Sequence, residues 1–190
     1  TDFDEMMKNP DIDIVYIATP NSLHCTLAKL AMEHGKHVLV EKPIAMSAAQ
    51  AQEMAACAKE NGVFLMQGIW TRFFPAVREL KALLHDGVIG SVHNLQADFA
   101  YSMPYIAGHR MFEPALGGGA LMDVGIYSFA FASDIYGAAP VQAAGLANKA
   151  YGVDLRANGV LQFPGGGMAS FFCSCDTRAP ESCRIFGEKG

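Results

Sequence analysis

No apolar run in this sequence approaches the roughly 20 residues that a bilayer span requires. No charged-then-apolar leader opens it, so nothing points to export. Charged residues are scarce, at 17%, which argues against long disordered stretches. Positive charge is not in excess either. The net charge of −5 gives no support for nucleic acid or an anionic membrane as a partner. The glycine pattern G-x-G-x-x-G is absent, as are internal repeats and low-complexity tracts. The five cysteines, Cys25, Cys57, Cys173, Cys175 and Cys183, form neither a CxxC pair nor a zinc knuckle. They read as reduced thiols and imply a reducing, cytoplasmic setting. His24, His34, His37, His85, His93 and His109 show no metal spacing, and no metal site is expected.

What is present is apolar: 51% of the residues, enough to fill a proper core. Residues 12–18 form a near-continuous apolar run, the pattern of a parallel strand buried on both faces. Thr19-Pro20-Asn21-Ser22 breaks it with turn chemistry, and a helix follows to His34, closed by Gly35. Val38-Leu39-Val40 is the next strand. Ser47 with Gln50 fits a capping box for a helix to Asn61, which Gly62 stops, and residues 63–66 form a third strand. This alternation predicts a parallel α/β sheet with its ligand edge at the strand ends. After Trp70 the rhythm changes. Helices are expected over 75–85 and 120–136, and strands over 91–101, 141–147, 158–163, 168–175 and 182–186. These predict a second, α+β domain with a large open, mostly antiparallel sheet, beginning at residue 69. The chain opens without Met and ends in a hairpin-like segment. Both ends of a longer protein are therefore expected to be missing, including an earlier βα portion.

Four constellations could carry chemistry. Lys42, in Glu41-Lys42-Pro43, ends a buried strand, where a partly desolvated amine can serve proton transfer; it also reads as a surface loop lysine. Asp123 and Tyr127 are four apart on one face of an apolar helix that follows Gly117-Gly118-Gly119. They read either as a capping aspartate with a core tyrosine or as a proton-transfer pair. The glycines allow a ligand or another backbone to approach the helix start. Trp70 and Arg72 at the domain junction can stack on a ring and hold an anion, or simply pack the junction. Thr19, Pro20, Asn21 and Ser22 with His24 surround a helix N-terminus that can face a ligand, although His24 alone reads as a packed helix residue.

In this order and at these separations, DIVYIATPNSLH, GKHVLVEKPIA and GGGALMDVGIY resemble the Gfo/Idh/MocA oxidoreductases, over nearly the whole chain. The resemblance implies an N-terminal Rossmann domain, here represented by its later part in residues 1–68. It also implies a substrate-binding and oligomerisation domain in residues 69–190, incomplete at its C-terminal end. By resemblance Lys42 matches the catalytic lysine of the EKP motif, and Asp123 the aspartate of a D-x-x-x-H pattern. The sequence departs at the last position, where Tyr127 replaces the histidine. That departure, and the WTRFFPA segment, are similar to the branch of dimeric dihydrodiol dehydrogenases and glucose–fructose oxidoreductases. There the tyrosine is the acid–base group and the lysine its helper.

The implied activity is NAD(P)-dependent hydride transfer at an alcohol carbon of a sugar, polyol or trans-dihydrodiol, with NADP preferred and NAD possible. By the same resemblance Thr19, Pro20, Asn21, His24, Glu41, Lys42, Trp70 and Arg72 line the cofactor site, and the active site lies where the two domains meet. A homodimer or higher oligomer is expected through the open sheet. Two other readings use the same fold: a ligand-sensing protein that lost the reaction, and a transhydrogenase with tightly held cofactor.

Overall fold

Three short apolar runs build the first sheet. A computed structural model describes residues 2–190, which divide into two compact units, one up to Gly68 together with 115–117, the other Ile69–Pro114 with Gly118–Gly190. In the first unit, β1 (Ile14–Ile17), β2 (His37–Val40) and β3 (Leu65–Gln67) pair in parallel in the order β1-β2-β3. Helix α1 (Phe3–Lys8) precedes the sheet, α2 (Asn21–Glu33) joins β1 to β2, and α3 (Ala48–Glu60) joins β2 to β3. Ser47 caps α3 by accepting from the Gln50 N–H at 3.3 Å, and the Gln50 side chain accepts from the Met46 N–H at 3.0 Å.

The core of this unit joins Val15, Ile17, Val38 and Val40 to Ala28, Ala31, Met32 and Met54. Burial on both faces was expected for the first strand; the described residues bury one. Val15 and Ile17 are buried, whereas Ile14 and Tyr16 are 55% and 58% exposed. The cause is topological. Strands added in one direction through right-handed crossovers place α2 and α3 on the same side.

The second unit is a five-stranded sheet in the order β5-β6-β7-β4-β8. It comprises β4 (Val92–Ala100), β5 (Gln142–Ala150), β6 (Val153–Gln162), β7 (Met168–Ser174) and β8 (Cys183–Gly187). Only β4 and β7 pair in parallel. Strand β6 begins five residues before the expected 158, and Val153, Leu155 and Ala157 alternate toward the core. Helix α4 (Pro75–His85) starts at its proline, and α5 (Ile126–Tyr136) covers the sheet through Phe129, Ala132 and Ile135, packed near Leu95, Phe163 and Ala169.

The helix expected over 120–136 opens with a π-helical turn, Leu121–Gly125, before α5 begins. Among the described residues one helical stretch, Pro114–Tyr136, is long and apolar enough by length and composition to cross a bilayer, which the short apolar runs did not foretell. It lies on the sheet as the core helix of its unit.

Candidate active site

The carboxyl ends of β1, β2 and β3 bring together three loops of the first unit. Thr19 and Pro20 follow β1, Glu41-Lys42-Pro43 follow β2, and Gly68 follows β3. Lys42 is half-buried. Glu41 accepts from the Tyr16 hydroxyl at 2.5 Å and from the Lys42 N–H at 3.2 Å. That carboxylate holds the Tyr16 phenol above its ordinary pKa. Pro20 stands at the start of α2, and no side chain caps the helix there, so its N-terminus keeps donors for a ligand. Asn21 is buried and donates to the Gly117 carbonyl at 3.0 Å.

His24 lies behind this edge with none of its surface exposed. Its ring nitrogens lie 2.9 Å from the Pro43 and Thr19 carbonyl oxygens, so the ring ties the loop after β1 to the loop after β2. Its place is that of a clamp for the edge.

The second unit holds Tyr127 and Asp123 on consecutive turns of the helical stretch. Tyr127 accepts a hydrogen bond from the Trp70 indole N–H at 2.7 Å. Its ring packs edge-on against Trp70, with centroids 5.9 Å apart, and at 5.2 Å from Phe99. Asp123 is 7% exposed. Its carboxylate accepts from the Tyr101 hydroxyl at 2.9 Å and forms a 3.1 Å ion pair with Arg110. Burial first, then the Asp123 charge, push the Tyr101 phenol far above its ordinary pKa.

Two glycines permit this packing. A side chain at Gly118 would strike the Arg110 and Met111 carbonyls, and one at Gly119, whose φ is +112°, would strike the Asp154 carboxylate. What approaches the helix start is therefore backbone and a carboxylate of the same unit. Asp154 accepts from the Leu121 N–H at 2.7 Å and closes the first turn. Arg72, exposed in the 3₁₀ turn Trp70–Phe73, lies 3.9 Å from Asp134, which also pairs with Lys81 at 3.0 Å. Among the described residues no group of three or more His, Cys, Asp or Glu could hold a metal ion.

Two family models match the chain: an oxidoreductase family with an NAD-binding Rossmann fold over residues 1–69, and the GFO/IDH/MocA C-terminal domain over residues 77–190. The chain belongs to the GFO/IDH/MocA oxidoreductase family. Within it, the chain is 37% identical over 190 residues to the trans-1,2-dihydrobenzene-1,2-diol dehydrogenase of Oryctolagus cuniculus, covering 99% of this chain and 57% of that protein. Among solved structures, the aldose-aldose oxidoreductase from Caulobacter crescentus, complexed with glycerol, superimposes with a TM-score of 0.92 at 35% identity, over 99% of this chain and 58% of that one. A 3-ketoreductase from Actinomadura kijaniata, in complex with NADP and TDP-benzene, gives 0.82 at 26% identity, over 96% and 57%. The chain thus spans a little over half the length of the relatives it matches.

Sequence reasoning missed Tyr101, Arg110 and Phe99. An acid on an apolar helix demands partners, and that signal is present at Asp123. Nothing in the spacing says which of the distant polar residues answers it. Tested against a family dinucleotide, the residues present fit in part. The first unit offers the strand-end edge and the uncapped α2 N-terminus, and the described residues include no glycine-rich turn for a diphosphate.

Proposed function

We propose that the whole protein is an NAD(P)-dependent oxidoreductase that transfers a hydride between nicotinamide and an alcohol carbon of a sugar, polyol or trans-dihydrodiol, with NADP preferred and NAD possible. The observation that carries this reading is the Tyr127 phenol at the start of α5, held by an indole N–H in a chain of this family. Identity to a dihydrodiol dehydrogenase and likeness to an aldose-aldose oxidoreductase support the substrate class.

Nicotinamide supplies the hydride acceptor in one direction and the donor in the other. Tyr127 takes the hydroxyl proton during oxidation and returns it during reduction. Lys42 is assigned the part of the cationic helper in proton transfer. Asp123, bound to Tyr101 and Arg110, steadies the turn that carries Tyr127. Thr19, Pro20, Asn21, Glu41 and Lys42 form the cofactor-facing edge of the first unit, with His24 bracing it from behind; Trp70 and Arg72, in the second unit, are assigned to cofactor binding as well. In this reading residues 1–68 are the later part of a dinucleotide-binding domain, and residues 69–190 a substrate-binding and oligomerisation domain.

The test is the change in NADPH absorbance when the full-length protein meets a panel of pentoses, hexoses and trans-diols. Turnover of at least one is expected. NADPH binding without turnover across the panel would replace this reading with a ligand-sensing role.

We also infer a homo-oligomer of a reducing, cytoplasmic setting. All five cysteines carry free thiols. The sheet of the second unit leaves one face without helix cover, where Leu146 is 86% exposed and Val160 is exposed as well. A dimer or larger mass by light scattering at micromolar concentration is expected; a monomer would overturn the inference.

A further inference from the structure

We propose that Trp70 is a positioning residue for the acid–base phenol, and that its indole N–H sets both the direction of the Tyr127 hydroxyl proton and the pH at which that phenol ionises. The inference rests on the reading of Tyr127 as the proton-transfer group and adds a role for its neighbour.

An indole N–H can only donate. The 2.7 Å bond from Trp70 therefore makes the Tyr127 oxygen an acceptor on that side. The phenol's own proton has to point away from Trp70 along another direction. A donor on a phenol oxygen is worth more when that oxygen is an anion, so the bond favours phenolate over phenol. This opposes the aromatic walls. Phe99 at 5.2 Å and the Trp70 ring at 5.9 Å take water from the phenol, which by itself disfavours charge.

The indole is held for the task. Ile69, just before the 3₁₀ turn, is buried, and Phe74, just after it, packs edge-on against the Trp70 ring at 5.0 Å. Yet Trp70 is 51% exposed. A large ring left half in water and fixed by neighbours on one side is poorly explained by core packing. Its polar N–H is the part in use. Trp70 is also the only tryptophan among the 190 residues.

The experiment compares the full-length protein with W70F, with W70H, which keeps an N–H donor, and with Trp70 replaced by benzothienylalanine, which keeps the ring shape and lacks the N–H. Two readouts are taken with glucose, xylose and a benzene trans-dihydrodiol as probes and NADP+ as oxidant. The first is the pH profile of kcat. The second, independent of turnover, is the near-ultraviolet tyrosinate absorbance assigned to Tyr127 by difference from Y127F.

In W70F and the benzothienyl variant the acid limb of kcat and the tyrosinate transition move together to higher pH by about one unit. Neutral-pH kcat falls about tenfold while substrate KM changes no more than about threefold. W70H recovers part of both. A tyrosinate transition that stays in place, or a loss confined to the KM for NADP+, would overturn the proposal and make Trp70 a packing or cofactor contact. A transition that moves in a protein that turns over none of the probes would uphold the pairing and sink the catalytic reading of Tyr127 instead.

Discussion

Two phenols, one reaching the helical stretch from outside and one belonging to it, are wired in opposite senses. Tyr101 donates a hydrogen bond to the buried Asp123 carboxylate, and burial together with that charge drives its pKa far upward. Tyr127, one turn along the helix from Asp123, accepts a hydrogen bond from the Trp70 indole N–H. One arrangement locks a hydroxyl as a permanent donor and uses it to anchor structure. The other sets an N–H donor against the hydroxyl oxygen. The residue type is identical and the partners differ in sign, which is why the proposed proton-transfer role falls to Tyr127 and not to Tyr101.

The contrast breaks most visibly at Tyr127. Y127F is expected to lower kcat by roughly two to four powers of ten with cofactor affinity nearly intact, read by steady-state kinetics and by NADPH binding. Unchanged turnover would remove the phenol from the reaction. On the structural side, D123A strips Tyr101 and Arg110 of their shared acceptor. It should cost about 1–3 kcal/mol in urea unfolding, because it leaves the half-buried Tyr101 hydroxyl without its acceptor, while the Arg110 guanidinium, half in water, loses little. A loss under half a kilocalorie would show that the network contributes little.

The smallest effect is expected at Asp154, which closes the turn that both phenols depend on. Burial is the main cause pushing its carboxyl above the ordinary range. A carboxyl raised on folding adds stability below its unfolded pKa near 4, and that contribution is lost as pH rises through the folded value. D154N keeps an oxygen for the Leu121 N–H and abolishes the titration. Its stability relative to the unmodified protein should therefore rise from about pH 4 upward, when unfolding midpoints are followed across pH. Two parallel curves would count against this account.

The parts legible in the sequence were those with local causes. The Ser47 and Gln50 cap, the Pro75 helix start and the three parallel strands follow from propensity and period. The candidate residues Lys42, Asp123 and Tyr127 also stood out, as polar groups at strand ends or on apolar helices. Arg110 and Tyr101 did not, because they reach Asp123 across 13 and 22 residues of irregular chain and no periodicity encodes the meeting. The π-helical turn was hidden because a four-residue spacing fits α and π windings alike. The one-sided burial of β1 was hidden because an apolar run records hydrophobicity but not the number of faces covered. The early start of β6 was readable, since Val153, Leu155 and Ala157 alternate with Asp154 and Arg156.

Strand β5 has a consequence of its own. Within one protomer eight of its nine residues are exposed, so its place in the sheet comes from the ladder to β6, with little side-chain burial behind it. Its order is borrowed from its neighbour. In dissociated protomers in deuterium oxide its amides would be the first of the five strands to exchange, ahead of the buried ladder between β4 and β7, tracing a gradient of local opening from the rim of the sheet to its centre.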